Sequence, residues 1–206
     1  MHTALICYSF YVKGSSDLSS GANARALSTI PTSIDGVLIL EPRVFGDERG
    51  FFLESYNKQT MAETGITEQF VQDNHSFSAH DVLRGLHYQV QRPQGKLVRV
   101  LSGEILDVVL DIRRKSQTFG QWEAVPLSGQ NKRILWVPPG FAHGFRVVSE
   151  NAHVLYKATD YYLPNLEKTI LWSDPGLKID WQLDGDPIIS EKDGRGVLFS
   201  QAETYD

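Results

Sequence analysis

Short apolar runs separated by polar turns dominate this chain from Gly36 onward. Val, Ile, Leu, Phe and Tyr gather at residues 37–40, 51–56, 69–72, 82–89 and 97–101. They gather again at 104–112, 121–127, 133–137, 142–148 and 152–159. Between the runs stand Gly46-Asp47-Glu48-Arg49-Gly50, Ser102-Gly103 and Ser128-Gly129-Gln130-Asn131, whose residue types favour tight turns. Strands this short and this regularly punctuated predict an all-β sandwich or barrel. Residues 58–64 read as a short helix. No long amphipathic repeat separates the strands, which argues against a parallel α/β sheet. The expected architecture is a double-sheet jelly roll with a few short helices.

Strand parity raises one problem within Val82-Leu83-Arg84-Gly85-Leu86-His87-Tyr88-Gln89. On a flat strand His87 shares a face with Leu83 and Gly85, while Arg84 shares the other with Leu86 and Tyr88. Arg84 and His87 can line one cavity only if the strand is kinked between them. Gly85 lies there, and an isolated strand glycine often marks a bulge or a close approach. A bulge at Gly85 is therefore expected.

Composition narrows the class. The 206 residues suit one domain with a sizeable core. With 41% hydrophobic and 22% charged residues the chain is an ordinary globule. A formal net charge of −5 gives no basic footprint for nucleic acid, so an anionic ligand must be held by a few local cations. The single Cys7 allows no internal disulfide, in keeping with a reducing, cytoplasmic setting. No apolar run approaches the ~18 residues of a membrane span. Residues 1–30 are apolar at first, then rich in Ser, Ala and Gly. They lack the basic start of a secretory signal, although Ala24-Arg25-Ala26 faintly resembles a cleavage site. They read as a flexible extension ahead of a single domain at 31–206.

The densest chemistry is Arg84, His87 and, just after Gly95, Lys96. An imidazole between fixed cations can take a proton from carbon while the cations hold an anionic substrate and its enolate. Singly, these residues are a satisfied core histidine and two solvated strand ends. Together, on strands otherwise rich in Leu and Val, they point to a site. Gln72 and Asn74 share a strand face, and so do His143, Phe145 and Val147 on a later strand.

Several long motifs, in order, resemble the dTDP-4-dehydrorhamnose 3,5-epimerase family of cupin-type jelly rolls. They include Phe45-Gly46-Asp47-Glu48-Arg49-Gly50-Phe51-Phe52, Val71-Gln72-Asp73-Asn74-His75-Ser76, Leu83 to Gln89 and Gln94-Gly95-Lys96-Leu97-Val98-Arg99. Pro139-Gly140-Phe141-Ala142-His143-Gly144-Phe145, Tyr156-Lys157-Ala158-Thr159, Tyr161-Tyr162 and Ser190-Glu191-Lys192-Asp193 complete the set. The resemblance implies a substrate that is a nucleotide-linked 4-keto-6-deoxyhexose, inverted at C3 and C5 with no cofactor. It makes His87 the base, Asp193 its carboxylate partner, Lys96 the cation at the enolate and Tyr156 the acid on the opposite face. It assigns Arg84 and Lys192, with Arg49, to the diphosphate, and Tyr162 to stacking on the thymine. Gln72, Asn74, His143, Glu54 and Glu167 become polar contacts, whereas Asp107 reads as structural. It also implies a homodimer in which residues 45–56, read as an exposed edge hairpin, cross over so that Arg49, Phe51 and Glu54 complete the neighbour's site.

Three other readings stay open. Pro138 to His143 is similar to a metal-cupin motif, but such a site needs three or four convergent ligands, and His87-Tyr88-Gln89 lacks a second histidine. A non-catalytic sugar-binding cupin would have little use for His87, Lys96, Tyr156 and Asp193 together. A single-carbon epimerase, or an isomerase of another nucleotide-linked 4-ketosugar, shares all these motifs.

Overall fold

The computed structural model describes residues 26–206. Its thirteen strands are β1 (Leu27–Pro31), β2 (Leu38–Pro42), β3 (Val44–Asp47), β4 (Gly50–Leu53), β5 (Gln72–Ala79), β6 (Leu83–Gln89) and β7 (Lys96–Ser102). They continue with β8 (Glu104–Asp111), β9 (Trp122–Ser128), β10 (Ile134–Val137), β11 (Phe141–Val147), β12 (Asn151–Ala158) and β13 (Glu167–Thr169). Two short α-helices, α1 (Lys58–Glu63) and α2 (Glu191–Gly194), and a 3-10 turn at Phe199–Gln201 complete the set.

A six-stranded antiparallel sheet, β1-β2-β10-β7-β12-β5, faces a five-stranded one, β13-β6-β11-β8-β9. This is the expected double-sheet jelly roll. Val98, Val100 and Val154 of the first sheet pack against Ile105, Val109, Phe145 and Val147 of the second. Outside the first sheet, Met61 of α1 and Ile66 cover Leu97, Ile134 and Trp136. Outside the second, Leu177 and Trp181 cover Leu86, Val108 and Leu110. Because both faces of β8 are covered, its seven residues after Glu104 are all buried, Asp107 and Asp111 included.

Helix α1 begins at Asn57, whose side-chain oxygen accepts from the backbone N–H groups of Gln59 and Thr60. The bulge at Gly85 is present. His143 pairs with His87 and Phe145 with Arg84, so two steps on β11 match three on β6. Gly85 has φ +122°, and a Cβ there would lie 2.5 Å from the Gly144 Cα. Gly144 is equally restricted, since its Cβ would meet the Arg84 carbonyl at 2.5 Å. Two facing glycines let the strands approach closely enough to turn β6.

Strand β4 ends at Leu53, short of the expected 51–56, and two further boundaries differ from the sequence reading. Of residues 69–72 only Gln72 is in a strand, which runs on over the polar segment Gln72–Ala79. One face of that segment lines a polar cavity and the other meets solvent, which removes the apolar alternation. Residues 27–30, assigned to the extension, belong to β1, which pairs along its length with β2 and buries Leu27. The rest of the proposed extension, residues 1–25, lies outside the described residues. Among the described residues no helix is long and apolar enough to cross a membrane.

Candidate active site

Between the two sheets lies a cavity of about 320 Å³. Strand β5 contributes Gln72, Asn74 and Ser76; β6 contributes Arg84 and His87. Lys96 enters from β7, His143 from β11 and Tyr156 from β12, with Tyr162, Glu167 and Lys192 at the same space. The bulge accomplishes what parity required, since Arg84 and His87 line one cavity.

His87 Nε2 lies 2.5 Å from Oδ1 of Asp193, a carboxylate only 3% exposed at the level of the residue. With Nε2–H donating to the carboxylate, Nδ1 keeps its lone pair as a proton acceptor. Burial works to raise the Asp193 carboxyl, but the bond and charge of His87, with help from Ser190, hold it below the ordinary value. Ser190 caps α2 by accepting from the Asp193 N–H, which fixes the backbone that carries the carboxylate.

His87 belongs to the five-stranded sheet, and Lys96 and Tyr156 belong to the six-stranded one. Imidazole and phenol therefore stand on opposite walls. Lys96 Nζ makes no hydrogen bond or ion pair within the described residues and lies 6.0 Å from the centroid of the Tyr156 ring. Burial brings its pKa down to about 8, although Asp107 and Glu167 favour the charged form. Tyr156 moves the other way: burial raises its phenol, with Glu167 adding and Arg84 opposing.

These shifts set the expected pH dependence. Below about pH 8 Lys96 is an ammonium able to meet an oxyanion, and above it that charge is lost. The phenol stays protonated through the same window because its own value is raised. We expect kcat/KM to fall as pH rises through about 8, and Lys96→Met to be slow with that alkaline limb absent. A limb unchanged in Lys96→Met would assign the titration elsewhere.

His143 has a carboxylate partner that the sequence reading did not give it. Its Nε2 lies 2.8 and 3.0 Å from the two oxygens of Asp107, the carboxylate expected to be merely structural. Burial lowers the His143 pKa despite that carboxylate, so the ring is neutral and Asp107 fixes its tautomer. At the rim, Glu167 Oε2 accepts from the Tyr162 hydroxyl at 2.7 Å and from Lys192 Nζ at 2.6 Å. The bond to Glu167 is the main reason the Tyr162 phenol is pushed up to about 12. Arg84 Nε donates to Ser78 Oγ at 3.0 Å, and Gln72 Nε2 to Asn74 Oδ1 at 2.9 Å.

Arg49, Phe51 and Glu54 do not reach this cavity within the chain. The hairpin of β3 and β4 forms its own two-stranded sheet, where Arg49 pairs with Asp47 and Phe51 is 59% exposed. Glu54 accepts from Asn57 and Thr60 at the start of α1. Sequence reasoning passed over Ser76 and Gln94, which also line the cavity. Ser76 was detectable, being two residues beyond Asn74 on the same strand face. Among the described residues, no three His, Cys, Asp or Glu side chains converge as metal ligands.

A jelly roll with a carboxylate-held imidazole on one wall, and an ammonium and a phenol on the other, has the equipment of a carbon-acid isomerase. Comparison with known proteins gives that class its family. The family model for dTDP-4-dehydrorhamnose 3,5-epimerase matches residues 31–201. The chain is 56% identical over 174 residues to the dTDP-4-dehydrorhamnose 3,5-epimerase of Pseudomonas aeruginosa, covering 84% of this chain and 96% of that one. A Legionella pneumophila dTDP-6-deoxy-D-glucose-3,5-epimerase, solved in complex with dTDP-4-keto-L-rhamnose, superposes with a TM-score of 0.84. It is 53% identical, over 86% of this chain and 95% of that one. A 3′-monoepimerase from Streptomyces bikiniensis, in complex with dTDP-quinovose, is 30% identical with a TM-score of 0.77, over 82% and 87% of the two chains. The chain belongs to the dTDP-4-dehydrorhamnose 3,5-epimerase family.

Proposed function

We propose that this chain inverts C3 and C5 of dTDP-4-keto-6-deoxyglucose, giving dTDP-4-keto-L-rhamnose. The observation that carries the mechanism is the placement of His87 and Tyr156 on opposite sheets across one cavity. A C4 ketone acidifies the C–H bonds at both neighbouring carbons, because either carbanion delocalises onto oxygen. Nδ1 of His87 takes the proton, and Asp193 stabilises the imidazolium that forms. Lys96 holds the enolate oxygen with a charge already in place, so little reorganisation is needed. Tyr156 returns a proton to the other face, which inverts the centre. Solvent then resets both residues for the second carbon.

Arg84 and Lys192 hold the diphosphate, the guanidinium offering two parallel N–H groups. Gln72, Asn74 and His143 orient the sugar, with Glu167 at the rim. Tyr162 stacks on the thymine. The identity of 56% to a named 3,5-epimerase, against 30% to a 3′-monoepimerase, supports inversion at both carbons over a single-carbon reaction. NMR of the product after incubation with dTDP-4-keto-6-deoxyglucose tests this. The L-rhamno configuration is expected, and inversion at C3 alone would move the chain to the monoepimerases. A cytoplasmic location belongs to the same reading, supported by the single cysteine and the nucleotide-activated substrate.

The working unit in this proposal is a homodimer with shared sites. The hairpin exposes Val44, Phe45, Phe51 and Phe52, and holds Arg49 away from its own cavity. A second copy taking that hairpin would cover the apolar residues and receive Arg49, Phe51 and Glu54. Mixing and reassociating equal amounts of His87→Ala and Arg49→Ala chains is expected to restore about a quarter of wild-type activity, because each heterodimer rebuilds one native site. A mixture no more active than its components contradicts shared sites.

A further inference from the structure

Gln89 stands two residues after the base on β6, only 2% exposed, and does not line the cavity. Its amide is nevertheless fully engaged. Nε2 donates to the carbonyls of Arg92 at 2.9 Å and Tyr161 at 3.2 Å. Oε1 accepts from the Leu163 N–H at 2.7 Å. One buried side chain therefore grips the backbone on both sides of Tyr162. The same residue is paired through its backbone with Glu167, the acceptor of the Tyr162 hydroxyl. Its own carbonyl accepts from the Tyr205 hydroxyl. Tyr162 meanwhile donates its N–H to Gln72 at 3.0 Å and is 44% exposed as a residue at the cavity mouth.

We propose that Gln89 is the positioning residue that aims Tyr162, and so sets affinity for the nucleobase end of the substrate. The inference rests on the stacking role assigned to Tyr162. A flat exposed ring gains from stacking only if its loop is already fixed, because ordering the loop on binding would cost conformational entropy. The segment from Tyr161 to Leu163 has no regular sheet to fix it, and Gln89 substitutes for the missing ladder. The position that would hold the second histidine of a metal-binding His-x-His pair thus serves here as a loop clamp.

Binding of dTDP and of inorganic pyrophosphate, measured by calorimetry on the full chain, separates the base from the phosphates. Gln89→Met is close in size but leaves the Leu163 N–H and the two carbonyls without their partner. We expect it to weaken dTDP about tenfold, to raise KM by a similar factor, and to leave pyrophosphate affinity and kcat within about threefold. Tyr162→Ala should likewise weaken dTDP binding while leaving pyrophosphate affinity within about threefold. If Gln89→Met does not fold, Gln89→Glu is measured in its place, since it keeps the acceptor for Leu163 but turns an oxygen towards two carbonyls. Wild-type dTDP affinity in the measured Gln89 variant, or equal loss of dTDP and pyrophosphate, overturns the proposal while Tyr162→Ala keeps its split. If Tyr162→Ala itself leaves dTDP affinity unchanged, the stacking role fails and the proposal with it.

Discussion

Replacing His87 with Ala is expected to lower the exchange of substrate hydrogen with solvent by about 10²–10⁴-fold at both C3 and C5, the usual cost of removing a general base. The loss should fall on kcat, with dTDP affinity within a few-fold of wild type, because the diphosphate is assigned to Arg84 and Lys192. One base serves both carbons in this mechanism, so the two exchange rates must fall together. His87→Asn should behave alike, as an amide of similar polarity cannot accept the proton. Asp193→Asn should be slower than wild type too, since the His87 imidazolium would lose the carboxylate at 2.5 Å. NMR of the sugar ring in deuterated solvent reads all three variants. Exchange that survives at one carbon in His87→Ala would require a second base, and His143 with its own carboxylate would be the first to examine.

Tyr156→Phe is expected to part exchange from inversion. The ring keeps its shape and packing but loses the proton donor. His87 can still deprotonate and Lys96 can still hold the enolate, so solvent hydrogen should continue to enter the sugar. Inverted product should fall by about 10²–10⁴-fold, the range for losing a positioned acid. Tyr161 and Tyr162 lie close in sequence, but Tyr161 does not line the cavity, and Tyr162, which does, is 44% exposed with its hydroxyl bonded to Glu167, whereas Tyr156 is partly buried in the cavity wall. Normal inversion in Tyr156→Phe, combined with loss of inversion but not of dTDP binding in Tyr162→Phe, would reverse the two roles.

The sandwich was legible because strands such as β7, β8 and β11 carry strong apolar runs between clear turns. The kink in β6 was legible because strand parity put Arg84 and His87 on opposite faces with Gly85 between them. Strand β5 was not, since a strand between a polar cavity and solvent shows no apolar alternation, only Asp73, Asn74, His75 and Ser76. Nor could spacing join His87 to Asp193, 106 residues apart. That pairing followed from motif resemblance alone. Asp107 read as structural, but its contact with His143 was not legible, because only the neighbouring strand brings that ring to it. Gln89 carried no signal at all, because its work is done on backbone groups supplied by distant loops.

The central claim is that one cavity deprotonates the carbons on both sides of a C4 ketone. The measurement that tests it most directly is incubation of the wild-type chain with dTDP-4-keto-6-deoxyglucose in deuterated water, followed by NMR of the recovered sugar. Deuterium at both C3 and C5 of an L-configured product is the expected result. Label at neither carbon despite bound substrate, or label at one carbon with the other centre uninverted, would contradict it.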